Sequence, residues 1–192
     1  MAHANRREFL AGAAGLVAGG LMAQAGRADA QTKTKPGERD LLVVVDVQND
    51  FIPGGALAVK EGDQIVPLIN TIAAGFKHVI LTQDWHTPGH ISFAGAHAGK
   101  KPFETVTLAY GTQVLWPDHC VQGTPGADFH KDLKIPHAEL IIRKGYRQQM
   151  DSYSAFYEAD HKSTTGLTGY VKDRGFRNLY FVGLATDFCV CW

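Results

Sequence analysis

Four short apolar runs, three of them rich in β-branched residues and spaced so that helical stretches fit between them, restrict this fold more than any other feature. They are Leu41-Leu42-Val43-Val44-Val45, Val79-Ile80-Leu81, Leu140-Ile141-Ile142 and Leu179-Tyr180-Phe181-Val182. The first is apolar at every position rather than at alternate ones, which is the pattern of a strand covered on both faces of a parallel sheet. Between the first two runs, Ile65, Leu68, Ile69, Ile72 and Phe76 recur at helical spacing over residues 64–77, with Asp63 placed to cap the helix. Between the last two, Leu167, Tyr170, Val171 and Arg174 fit a second helix, closed by Gly175. Strands alternating with helices predict an α/β domain: an open parallel β-sheet with helices on both faces, in a Rossmann-like three-layer arrangement.

Each run is followed by side chains that can do chemistry. The first ends in Asp46-Val47-Gln48-Asn49-Asp50-Phe51 and the second in Gln83-Asp84-Trp85-His86. The third ends in Arg143-Lys144-Gly145 and the fourth in Gly183-Leu184-Ala185-Thr186-Asp187-Phe188-Cys189. In an open α/β sheet the ligand crevice lies at the carboxyl ends of the strands. A carboxylate, an Asp/His pair, a lysine and a thiol should therefore gather at one edge.

Composition narrows the function class. Hydrophobic residues make up 45% of the 192-residue chain and charged residues 20%, a globular balance that suits one domain. Lys plus Arg equal Asp plus Glu and there is no basic run, which excludes a mainly electrostatic nucleic-acid binder. Three cysteines cannot close a disulfide framework. Residues 1–30 read as a twin-arginine export signal: Arg6-Arg7, a mild Ala/Gly-rich apolar stretch over 9–25, and small residues for cleavage near Ala30. Asn5 stands where Ser or Thr is usual, and the apolar stretch is short and Gly-rich for a membrane anchor. A periplasmic address is the expectation, with residues 31–40 as a polar leader and 41–192 as the folded domain.

Asp84-x-His86 puts an oxygen and a nitrogen donor two residues apart at a strand end, where alternation lets both face one side. His119, in Trp116-Pro117-Asp118-His119-Cys120, is a candidate third donor and His90 a further one. Two imidazoles and a carboxylate suit zinc, or iron or manganese, with positions left open. His97, His130, His137 and His161 lack partner spacing and are expected in solvent. Cys189 sits where a helix should begin, which would favour its thiolate, and Lys144 and Asp46 offer a cation and a base. Cys120 and Cys191 are given no chemistry. Phe51 and Trp116 could sandwich a flat ring, whereas Trp85 is expected in the core.

Taken in order, Asp46-Val47-Gln48-Asn49-Asp50-Phe51, Asp84-Trp85-His86, Trp116-Pro117-Asp118-His119-Cys120-Val121, Lys144-Gly145, Asp151-Ser152-Tyr153-Ser154 and Ala185-Thr186-Asp187-Phe188-Cys189-Val190 resemble the nicotinamidase branch of the isochorismatase-like cysteine hydrolases. The likeness runs from about residue 41 to the last residue. It implies a catalytic triad of Asp46, Lys144 and Cys189, oxyanion donors on the backbone of Ala185 and Cys189, and a cis peptide at Leu184–Ala185. It also implies one divalent ion, zinc first, on Asp84, His86 and His119, with His90 the nearest match to an extra ligand. Phe51, Trp116 and Tyr153 would hold the substrate. The implied reaction converts nicotinamide to nicotinate and ammonia through a thioester, in NAD salvage, with pyrazinamide as a second substrate. The implied partners are this small molecule and a further copy of the chain, with no nucleic acid and no membrane after signal cleavage. The competing expectations are an exported metal- or pyridine-binding module without turnover, and a related hydrolase acting on isochorismate or a ureido compound.

One departure bears on activity. Members of this family continue beyond the nucleophile, whereas this sequence has three residues after Cys189. The expectation is a domain incomplete at its C-terminus, a fragment or a truncated reading frame. An apolar sheet edge would be exposed and turnover would be poor or absent.

Overall fold

The computed structural model describes residues 35–191, so the export signal read over residues 1–30 lies outside the described residues. Among the described residues six strands occur: β1 (Asp40–Val45), β2 (His78–Asp84), β3 (Thr105–Leu108), β4 (Gly111–Val114), β5 (Leu140–Lys144) and β6 (Asn178–Gly183). Four of them form a parallel sheet in the order β5-β2-β1-β6. Two helices complete the frame, α1 (Ile65–Ala73) and α2 (Leu167–Asp173). No helix among the described residues is long and apolar enough to cross a membrane.

Strand alternation sends the first apolar run in two directions. Leu42 and Val44 pack with Val66, Ile69 and Ala73 of α1, while Leu41, Val43 and Val45 pack with Leu167 of α2, Ala155 and Phe176. The sheet is therefore covered on both faces, as the periodicity predicts. Full burial holds for the central pair, β1 and β2. The outer strands differ from expectation because, among the described residues, each has a neighbour on one side: Ile141 on β5 is 48% exposed and Tyr180 on β6 is 45% exposed.

The first helix is shorter than its apolar spacing predicts. Asp63 does not cap it. That residue lies in a 3-10 turn, Gly62–Gln64, entered through Glu61 at φ 59, and no side chain caps the helix start. At the far end Gly75 N–H bonds to Ile72 O and Phe76 N–H to Ala73 O. These i→i+3 bonds tighten the last turn and return Phe76 to the core. The second helix ends as expected, with Gly175 at φ 70 just past its last residues.

The antiparallel hairpin of β3 and β4 was not anticipated. Its strands are four residues each, threonine-rich and largely exposed, so they carry no apolar run. The parallel strands all point the same way, which brings Asp46, Asp84, Lys144 and the segment after Gly183 to one edge.

Leu42 sits at the centre of this frame with no exposure. Leu42→Ala is expected to lower the unfolding free energy by about 3 kcal/mol in urea titrations. Leu68→Ala, on the open side of α1, should change it by less than about 0.5 kcal/mol.

Candidate active site

Asp46 immediately follows β1 and has φ 47, a left-handed conformation that Asp tolerates better than most residues. Its N–H donates to Thr82 Oγ1 at 3.2 Å, and the Thr82 hydroxyl donates to Asp46 Oδ1 at 2.6 Å. The other oxygen, Oδ2, lies 2.7 Å from Lys144 Nζ. Lys144 is the last residue of β5 and is the register partner of Asp84 on β2. Its ammonium also bonds to Asp84 Oδ1, approaches Ser152 O at 3.3 Å, and donates to Cys189 Sγ at 3.5 Å. Carboxylate oxygens of Asp46 and Asp84 and the Cys189 sulfur all lie within 4.8 Å of one another. The three groups expected to form a triad are thus in one place.

Burial penalises the Lys144 ammonium, yet Asp46 and Asp84 outweigh that penalty and hold its proton affinity well above the ordinary lysine value. For Asp46 burial prevails: it raises the pKa, with the Asp84 charge adding to the effect and Lys144 opposing it. At Cys189 two influences compete. The described residues place it in a single π-type turn, Thr186–Val190, and burial pushes its thiol well up, with Lys144 pulling it down. The Lys144 ammonium, 3.5 Å from the sulfur, favours the thiolate. The peptide Leu184–Ala185 is cis, as the resemblance implies.

Asp84 turns its second oxygen towards the two expected imidazoles. Oδ2 lies 3.7 Å from His86 Nε2 and 3.9 Å from His119 Nε2, and all three side chains are buried. His86 Nδ1 bonds to Gly145 O at 3.0 Å, and His119 Nδ1 bonds to Pro117 O at 2.8 Å. Since a carbonyl only accepts, both Nδ1 atoms carry a proton, and the Nε2 atoms are the ones that face Asp84. Burial opposes the Asp84 charge, but Lys144, His86 and His119 hold it well below the usual carboxylate range. Burial and the nearby His86 lower His119 to about 4, so it is neutral near pH 7. Burial works against protonated His86, but Asp84 outweighs it and raises its pKa. An ionised carboxylate and two oriented imidazoles fit a divalent cation. His90 stands beside this group and not within it. Its Nε2 meets Arg147 O at 3.0 Å and Met150 O at 3.1 Å, and its Nδ1 meets Ser92 Oγ at 2.7 Å, so both ring nitrogens are engaged.

Asp84, His86, His119 and Cys189 line a cavity of about 220 Å³ together with Phe51, Trp116, Tyr153 and Ala185. The lining is mostly apolar and aromatic, suited to a small flat molecule. Trp85 is not part of it. That ring packs at the edge of the core with the Arg143 guanidinium 3.9 Å above it. Of the other histidines, His97 bonds to Ile91 O and His137 to Ala73 O, so neither is simply solvated. Cys120 is fully buried, with its N–H on Asp50 Oδ2 at 2.7 Å, and is structural; Cys191 is exposed.

Several positioning residues escaped sequence reasoning. Gln48 Oε1 accepts from Asp84 N–H and its Nε2 donates to Asp84 O, both at 2.8 Å, with a further bond to Ala127 O. Gly145 has φ 64, and a Cβ there would lie 2.4 Å from the His86 ring, so glycine is required twice over. Gln48 and Asp50 sit within a recognised motif, and their patterning signals nothing about which atoms they hold. Thr82 looks like an ordinary β-branched strand residue.

With this geometry in place, comparison with known proteins is informative. The Isochorismatase domain family matches residues 40–191. Nicotinamidase of Acinetobacter baylyi is 56% identical over 162 residues, covering 84% of this chain and 76% of that protein. The solved Acinetobacter baumanii nicotinamidase/pyrazinamidase superposes with a TM-score of 0.81 at 62% identity, covering 81% of this chain and 75% of that one. The pyrazinamidase of Pyrococcus horikoshii in complex with zinc has a TM-score of 0.63 at 36% identity, covering 79% of this chain and 74% of that one. The parallel sheet, the Asp–Lys–Cys cluster at its edge and these matches agree that the chain belongs to the isochorismatase family of hydrolases.

Proposed function

We propose that this chain is an amidase that hydrolyses nicotinamide to nicotinate and ammonia, with Cys189 as nucleophile. The observation that carries this reading is the Lys144 ammonium, which touches the Asp46 carboxylate and the Cys189 sulfur, the cysteine itself lining an aromatic-walled cavity. The names of the relatives support the substrate, and pyrazinamide, with the same carboxamide on a similar ring, is proposed as a second one.

The residues can perform the reaction in two halves. Asp46 takes the thiol proton while the sulfur attacks the amide carbon, and the adjacent Lys144 charge stabilises the forming thiolate. Backbone N–H groups of Ala185 and Cys189, both on the cavity wall, are proposed to hold the oxyanion. The C–N bond breaks, and ammonia leaves with the proton that Asp46 carried. Water then attacks the thioester, Asp46 receives its proton, and C–S cleavage returns the thiol and releases nicotinate. Phe51 and Trp116 position the ring so that the amide carbon faces the sulfur. Asp84, His86 and His119 would hold the divalent ion. When bound, that ion supplies a Lewis-acidic anchor for a heteroaromatic nitrogen. We take it to be zinc, which suits the donor set and accompanies the related Pyrococcus enzyme. The twin-arginine segment at residues 1–30 supports the further proposal that the enzyme acts in the periplasm, with cleavage near Ala30.

Incubation with nicotinamide should release ammonia and nicotinate in equal amounts. A chelator should abolish release and added zinc restore it. Cys189→Ser should lower the rate on the order of 10³-fold or more. Release at the Cys189→Ser level from zinc-loaded parent protein would overturn the reading.

Gly145→Ala should displace the His86 ring and weaken zinc binding by about 10- to 100-fold, measured by competition with a chromogenic chelator. Replacing both Arg6 and Arg7 by Lys should retain the protein in the cytoplasm, whereas the parent should fractionate with the periplasm.

A further inference from the structure

The β3–β4 hairpin buries a single residue, and that residue is polar. Seven of the eight strand residues are exposed or half-buried, and Gln113 is 2% exposed. A surface ribbon gains nothing by burying a carboxamide unless the carboxamide holds something. The Gln113 amide nitrogen lies 2.8 Å from Asp151 Oδ2, 3.0 Å from the Tyr153 hydroxyl and 2.7 Å from Val114 O. Its oxygen accepts from the Tyr110 hydroxyl at 3.0 Å, which fixes the orientation of the amide. The Tyr153 hydroxyl in turn accepts from Trp116 Nε1 at 2.9 Å and is hydrogen-bonded to Asp151.

Packing cannot set the orientation of this wall by itself. Gln113, Tyr153 and Phe188 border a second cavity of about 400 Å³, so the far side of the Tyr153 ring is open. Trp116 meets Tyr153 and Phe188 edge-on, contacts that constrain an indole less than a directed bond does. The chain Gln113–Tyr153–Trp116, braced by Asp151, therefore fixes the plane of the indole that faces the substrate.

We infer that Gln113, which does not line the catalytic cavity, is a positioning residue that sets the affinity for the aromatic ring of the substrate by orienting Trp116 through Tyr153. This rests on the amidase reading for its substrate. A device that orients a wall acts on ring binding more than on proton transfer, so its loss should appear in KM rather than kcat.

Gln113→Leu removes the amide at similar volume, and Tyr153→Phe removes the hydroxyl that gathers the network. Each should raise KM for nicotinamide and Kd for nicotinate about five- to tenfold, with kcat lowered less than about threefold. The double variant should lose little more than either single one, because one chain of bonds is being cut twice. Unchanged KM and Kd, fully additive losses, or a fall in kcat at constant KM would overturn the inference. Should Gln113→Leu fail to fold, Tyr153→Phe decides by the same split. A parent that releases no ammonia removes the amidase reading, and the nicotinate Kd then decides the inference alone.

Discussion

The site is organised around one fully enclosed cation. Lys144 sits between the carboxylates of Asp46 and Asp84, and an ammonium out of water is tolerable only with such partners. Removing either carboxylate would leave a buried charge short of a partner, a loss of about 3–5 kcal/mol for pairs of this kind. The two anions and one cation leave a negative excess that a dication can offset. Asp84 divides its oxygens accordingly, one to the ammonium and one to the two imidazoles. A single carboxylate therefore ties the nucleophile's neighbourhood to the donor set, and neither half of the site can shift without the other.

This arrangement follows from strand order. β5, β2 and β1 are adjacent and parallel, so the residues that end them are neighbours although about forty or sixty positions separate them in sequence. β6 lies on the other side of β1 and delivers the segment carrying Cys189. The topology does the gathering, and each strand contributes one reactive group at its carboxyl end.

How much of this was legible beforehand depended on the kind of signal. The strands and helices were readable because apolar periodicity reflects burial, and β1 and β2 have apolar or polar neighbours on all sides. The ends of α1 were not, because a 3-10 entry and a tightened last turn are settled by local backbone bonds that leave no trace in hydrophobicity. Asp46, Lys144, Cys189, Asp84, His86 and His119 were readable because reactive residue types stood after apolar runs or in ordered motifs. Gln48, Thr82, Gly145 and Gln113 were not, since each acts by holding another residue across a long sequence separation. His90 shows what residue type alone leaves out: both of its ring nitrogens have hydrogen-bond partners, and it stands with His86 and Asp151 in a second group of possible donors.

The side chain of Gln48 has a structural consequence of its own. β1 stops at Val45, and the backbone swings away at Asp46 to present its carboxylate. The Gln48 carboxamide then offers Asp84 one acceptor and one donor, the same complement a peptide unit would offer. The ladder gains an extra rung built from a tethered amide, and the main chain is released to make its bend. Glutamate in that place could mimic only half of the rung, which makes nitrogen in this one side chain the condition for a strand that bends early without losing its grip on its neighbour.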